Sequence, residues 1–328
     1  MEVQVCATQF VQDNVFLQKN RFKYEEILEL VDALNIPPMF KTSNGYVFSG
    51  LEGFCLLLAR FRSAGELGIL SILYRRSISS ISQCVNKLCT YLDSRWAHLL
   101  DFDEKGLLNP SSLEAYAHAI YTFGQAPVAS VWGFIDCTIR RICRPTHHQR
   151  VAYNGHKKYH SLKYQAVTTP DGMIGHLFGP VEGRRADPFM LKESQLLEKC
   201  AVHAKRKDAT DATPITERYY QLFGDPAYGL SPLLLSPFAG PGVRTEEEKE
   251  WNAQMAKVRI EVEHGFGRVI VNWPFVNAFW RLRVFSSPVG IYYRVAVLLS
   301  NAMNCFRPNQ TAQTFECMPP LLEDYFHD

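Results

Sequence analysis

Apolar residues recur at helical spacing through the first third of the chain and then give way to the short runs and alternation of strands. Phe22, Ile27, Leu28 and Val31 predict a first helix, and the apolar run 53–61 a second, buried on several sides. Residues 67–74 predict a short third helix, broken at Arg75-Arg76-Ser77. A helix over about 79–92 follows, with Ile78, Ile81, Val85, Leu88 and Leu92 at steps of 3, 4, 3 and 4 on one amphipathic face. Two short helices joined by a tight basic turn are laid out as a helix-turn-helix, whose opposite face offers Ser80, Gln83, Asn86 and Lys87 to phosphates or base edges. A plain helical bundle with a polar surface has the same pattern.

The change falls near residues 125–129. Residues 130–142, rich in Val, Trp, Phe and Ile, predict a strand. Segments 163–169 and 173–181 flank the turn Pro170-Asp171-Gly172 and predict a hairpin. Residues 188–200 predict a helix, 219–225 a short strand, and 246–271 a long helix with Thr245 as N-cap and glutamates in its first turn. A final helix over 288–306 starts near a proline. The order β-β-β-α-β-α-α indicates a mixed α/β domain.

Two acids stand where strands carry chemistry. Asp136 lies inside Val131-Trp132-Gly133-Phe134-Ile135-Asp136-Cys137-Thr138-Ile139, where an unpaired carboxylate is costly to desolvate. A metal would satisfy it, and so would a salt bridge to Arg140 or Arg141. Asp225 is followed by Pro226, which stops the ladder and leaves the acid at the mouth of the sheet, where ligands of α/β folds bind. In the long helix the apolar stripe is Trp251, Met255, Val258, Val262 and Phe266. Glu261 and Glu263 flank Val262 about 100° to either side, so periodicity does not choose between them. Arg259, four residues before Glu263, fits an ordinary surface pair with it.

Composition sharpens this. The 328 residues carry 35 Lys and Arg against 33 Asp and Glu, a net charge of +2, which excludes a binder working by bulk charge. The charge is nonetheless local. Residues 136–169 hold seven basic side chains (Arg140, Arg141, Arg144, Arg150, Lys157, Lys158 and Lys163) and one acid. Residues 264–315 hold five arginines, Arg268 among them, and no acid. Aromatics such as Tyr153, Tyr159, Tyr164, Trp273 and Trp280 are interleaved with these charges, as in surfaces that track phosphates and stack on unpaired bases. The nine cysteines include no C-x-x-C pair and read as free buried thiols. His147-His148 and His156-x-x-x-His160 lack the cysteines of a zinc site and suit hydrogen bonds to phosphate or loop backbone better. Lys205-Arg206-Lys207 is a short candidate for a nuclear localisation patch. The first ten residues do not read as a signal peptide and no apolar run approaches a membrane span, so an intracellular, soluble protein is expected.

Five ordered motifs resemble one family. They are Gly133-Phe134-Ile135-Asp136-Cys137-Thr138, Tyr153-Asn154-Gly155-His156-Lys157-Lys158, Gly179-Pro180-Val181-Glu182-Gly183-Arg184-Arg185-Ala186-Asp187, Gly224-Asp225-Pro226-Ala227-Tyr228 and Val262-Glu263-His264-Gly265-Phe266-Gly267. From about Phe22 onward the chain is similar to the PIF/Harbinger-type transposases and their domesticated relatives. The resemblance implies an RNase H-like mixed-sheet catalytic domain over 126–310, preceded by an all-α, helix-turn-helix-like domain over 1–125 and followed by an acidic C-terminal tail over 311–328. It implies an Asp-Asp-Glu site of Asp136, Asp225 and Glu263 with two divalent ions, Mg²⁺ or Mn²⁺, and it selects Glu263 over Glu261. Asp187 matches a supporting acid, while Ala186 departs from the histidine that often precedes it. The implied activity is DNA cleavage with strand transfer in the nucleus, helped by a Myb-like partner protein and by pairing of two copies. The alternative is a domesticated, non-catalytic DNA-binding or scaffold protein.

Overall fold

The computed structural model describes residues 21–240 and 242–328, without the side chains of residues 261–264. The residues read for a signal peptide therefore lie outside those described. Helix α1 (Tyr24–Ala33) starts where Glu26 accepts the Lys23 N–H at 2.8 Å, and it buries Ile27 and Leu30. A hairpin of β1 (Met39–Lys41) and β2 (Val47–Ser49) follows, too short for its alternation to stand out in the sequence. Ser49 then caps α2 (Gly50–Arg62). Helix α3 (Leu67–Tyr74) ends on Arg75 in the left-handed region, and Ser77 caps α4 (Ile78–Trp96). Two helices joined by the short turn 75–77 are thus present, in a region that also holds the β1–β2 hairpin and so is not all-α. Helix α5 (Pro110–Thr122) was not foreshadowed, because its buried stripe includes small Ala117 beside Leu113, Tyr116 and Ile120 and gives little contrast.

The sheet is built around β3 (Val131–Arg141). After the one-turn α6 (Gln149–Ala152), the two-residue β4 (Tyr153–Asn154) and the long β6 (Ile174–Glu182) both pair with β5 (Tyr159–Thr168), which runs antiparallel to β3. On the other side of β3 come β7 (Gln221–Phe223) and β8 (Leu234–Leu235), both parallel. Three antiparallel strands continued by two parallel ones make the RNase H-like sheet. The single helix expected over 188–200 is divided into α7 (Asp187–Glu193) and α8 (Leu196–His203) by Gln195, whose φ of 51° breaks the helical path. The long helix α9 (Glu246–Asn272) opens with a reciprocal cap between Thr245 and Glu248.

Helix α10 (Val289–Phe306) explains why the layers hold together. Val295, Ala296, Val297, Leu298 and Leu299 are all buried, so this stretch of the helix is covered on every side and sits inside the molecule. One core runs from Phe22 through Trp96 and Tyr164 to Phe326 without a break between helical layer and sheet. Arg294 of α10 pairs with Asp93 of α4 at 2.6 Å, and Arg307 pairs with Glu26 of α1. The final stretch places Phe315, Tyr325 and Phe326 inside, with its acids outside. No helix among the described residues is long and apolar enough to cross a membrane.

Candidate active site

Strand register brings the first two acids together. Phe134 of β3 pairs with Phe223 of the parallel β7. Two residues on from each come Asp136, still inside β3, and Asp225, just past the end of β7, so the same pairing leads toward both acids. Pro226 cannot donate to a ladder and turns the chain at once. Asp225 becomes the cap of that turn, its Oδ1 accepting the Ala227 N–H at 2.6 Å. Asp136 Oδ1 accepts the Cys137 N–H at 2.7 Å. Each carboxylate is thus oriented by a backbone donor through Oδ1.

Helix α9 packs against β3 and β5 beside Asp136. Arg259 and Phe266 line a hollow with Phe134, Asp136 and Thr168. At Gly265 the helix backbone touches β5, where an added Cβ would lie 2.9 Å from Thr168 Cγ2. Glu263 sits on the helical stretch between Arg259 and Gly265; its side chain and that of Glu261 lie outside the described residues. Arg259, expected as a surface partner of Glu263, reaches Asp136 Oδ2 at 3.9 Å. Asp136 thus has a guanidinium from α9 within reach, where the sequence suggested Arg140 or Arg141.

The other face of β3 is closed by a network that the motifs contained but did not explain. Tyr228, three residues past Asp225, donates its hydroxyl to Cys137 Sγ at 3.2 Å. Its ring lies against Gly224, where an added Cβ would stand 2.8 Å from both Tyr228 Cδ2 and Ile135 Cγ2. Tyr228 thereby fastens the turn that carries Asp225 to the strand that carries Asp136. Burial pushes the Cys137 thiol up to about 12, so it stays protonated at neutral pH. Beside it, buried Lys163 pairs with Asp187 and donates to the Arg185 carbonyl at 2.9 Å. Lys163, expected on a DNA surface, is thus turned inward, and Asp187 holds it rather than facing the two strand acids.

Residues 135–301, just over half of the chain, match the family model described as DDE superfamily endonuclease. The chain belongs to this family. No curated protein and no solved structure matches it. Asp136, Asp225 and Glu263 all fall within the matched stretch.

Endonucleases of this superfamily generally use divalent metal ions. The donor set here fits a hard cation: two oriented carboxylates on adjacent strands, with the nearby thiol held protonated on the far face. The chain's own guanidinium standing 3.9 Å from Asp136 shows that the position favours positive charge. No cluster of three metal-ligating side chains forms among the described residues, which leave out that of Glu263.

The expected DNA-contacting residues divide by burial. Arg144, Arg150, Lys157 and Lys158 are exposed, as is Arg141, which stacks on Phe279 at 3.7 Å. Arg140 is turned inward over the Tyr293 ring and bonds Thr138. Arg268 donates to Thr311 Oγ1 at 3.0 Å, and burial lowers its pKa. Lys87 is exposed and reaches the Lys41 carbonyl. The rest of its helix face is engaged internally: Ser80 is buried against Ser77, and Asn86 accepts from Tyr292. In the turn before it, Arg76 is held by two 2.8 Å bonds to Glu52. Trp273 and Tyr164, read as stacking candidates, are core residues.

Proposed function

We propose that the protein is a Harbinger-type, metal-dependent DNA endonuclease whose ligands are Asp136, Asp225 and Glu263. Membership of the DDE superfamily endonucleases supports a nuclease or transposase function with DNA as substrate. The observation that supports the assignment is the pairing of β3 with β7, the strands that lead to Asp136 and Asp225, with α9 packed beside Asp136. Mg²⁺ or Mn²⁺ bound by these acids would supply an activated water and stabilisation of the leaving oxygen. The chain's own part is to hold the two strand carboxylates in one orientation through the Cys137 and Ala227 N–H groups. Arg259 keeps positive charge at Asp136, and the wall of Phe134 and Phe266 limits water beside it. The same site would serve strand transfer by a freed 3′-hydroxyl. Pairing two DNA ends calls for two copies, a Myb-like partner would add target recognition, and the nucleus is the matching compartment.

Asp225→Ala should abolish Mn²⁺-dependent nicking of plasmid DNA while leaving the melting transition cooperative. Unchanged nicking would refute the assignment. In a companion titration, Mn²⁺ should raise the melting temperature of the wild type and not of Asp136→Ala. No shift in either would favour the non-catalytic DNA-binding reading.

A further inference from the structure

The two acid-poor basic segments, 136–169 and 264–315, lie far apart in sequence and meet at one place. The Cys143 N–H donates to the Leu282 carbonyl at 3.0 Å, and the Cys143 thiol bonds the Phe279 carbonyl. The Arg141 guanidinium lies on the Phe279 ring, and the rings of His147 and His148 stand 6.0 and 6.2 Å from that of Phe285. Two large aromatics remain uncovered there: Trp280 is 52% exposed and Phe285 66%. Phe285 also has a φ of 71°, a conformation that a bulky residue rarely adopts and that clusters at functional sites. Arg144, Arg150 and Arg283 are exposed on the same two segments. Arg281 is balanced by Glu66 and the nearby Glu182 by Arg185, so the remaining charge of this surface is positive.

We propose that this surface binds unpaired DNA bases, with Trp280 and Phe285 as stacking platforms and Arg144, Arg150 and Arg283 holding the flanking phosphates. A duplex hides its base faces, whereas a separated strand offers them, and aromatic faces beside guanidinium groups suit the latter. The inference rests on the DNA-acting reading and adds that the substrate is locally opened beyond the cut.

Fluorescence anisotropy in EDTA, where no cutting occurs, tests it with three labelled probes of one sequence: a single strand, a duplex, and a duplex with a central mismatch bubble. The wild type should bind the single strand and the bubble more tightly than the duplex. Phe285→Ala and Trp280→Ala should each weaken single-strand and bubble binding by roughly 5- to 30-fold, or about 1–2 kcal/mol at about 1.4 kcal/mol per tenfold, and spare the duplex. Phe285→Tyr should keep the preference. Arg283→Ala should weaken all three probes alike and lower the salt slope by about 1. Matching melts of each variant exclude a folding defect. Equal wild-type binding of the three probes, or intact discrimination in both aromatic variants, would overturn the proposal. Binding of none would overturn it too and assign the patch to a protein partner. Nicking by Asp225→Ala would refute the catalytic assignment while leaving this binding result standing, so the two failures are distinguishable.

Discussion

Removing the Tyr228 ring would leave Gly224 facing an empty slot against Ile135, and the turn that carries Asp225 would lose its fastening to β3. Asp225 is fixed locally by its bond to Ala227, but Tyr228 fixes where that turn sits relative to Asp136. Tyr228→Ala should therefore raise the Mn²⁺ concentration for half-saturation in calorimetry by roughly tenfold, since supporting partners of metal ligands are worth about 10–100-fold in affinity. Tyr228→Phe keeps the ring and loses one hydrogen bond worth about 0.5–1.5 kcal/mol, so its Mn²⁺ affinity should stay within a few-fold. Equal effects of the two variants would place the role in the hydroxyl alone. Phe285 makes the opposite case, a side chain kept at the expense of its backbone. A left-handed conformation costs a non-glycine residue about 1–2 kcal/mol, and glycine gives back part of that through its looser unfolded chain. Phe285→Gly should thus be more stable than Phe285→Ala by about 0.5–1 kcal/mol in urea unfolding, even though both lose the stacking ring.

At the scale of elements, α9 is held over the sheet by the missing side chain of Gly265. Alanine there gains about 1 kcal/mol of helix propensity, but its methyl would meet Thr168 Cγ2 at 2.9 Å. Thr168 is β-branched and buried, and its hydroxyl is engaged with the Phe134 carbonyl, so it has little room to give. Gly265→Ala should lift this stretch of helix, lower nicking at least tenfold if a displacement near 1 Å costs about 100-fold, and change urea stability by about 1–3 kcal/mol downward. The long helix itself was legible because its cap, its acidic first turn and its apolar stripe agree. So were β3, the hairpin and α10, whose runs are long and apolar. The β1–β2 hairpin was not, for three-residue strands carry too little alternation, and neither was the break at Gln195, a backbone choice that leaves no periodic trace. Asp136 was readable as an acid inside a strand and Asp225 as one at a strand end. Which side chains back them was not, because Tyr228, Cys137 and Lys163 meet only through the pairing of β3 with β5 and the return of the chain after β7.

For the molecule as a whole, the core that joins helical layer and sheet means that a group buried in it weighs on the packing of both. His176 is such a group. It lies on β6, wholly buried, with Asp101 at 3.9 Å and its Nδ1 without a hydrogen-bond partner. Burial pushes its pKa down to about 4 from the usual 6.5; Asp101 opposes this, while Lys199 and Arg294 add to it. Between those two values the unfolded chain binds a proton that the native protein refuses. Stability therefore rises with pH across that window, is complete above about pH 6.5, and falls by up to about 1.4 kcal/mol per unit as pH drops toward 4. At pH 5 the loss relative to neutral pH should be about 2 kcal/mol from this residue. Carboxylates titrate in the same range, so the comparison is with His176→Gln, which has no proton to gain. Urea midpoints at pH 7 and pH 5 should separate further for the wild type than for that variant. Equal losses in both would mean that the acid sensitivity of the fold comes from elsewhere, and not from the fully buried Asp171, whose pKa burial raises and which therefore acts with the opposite sign.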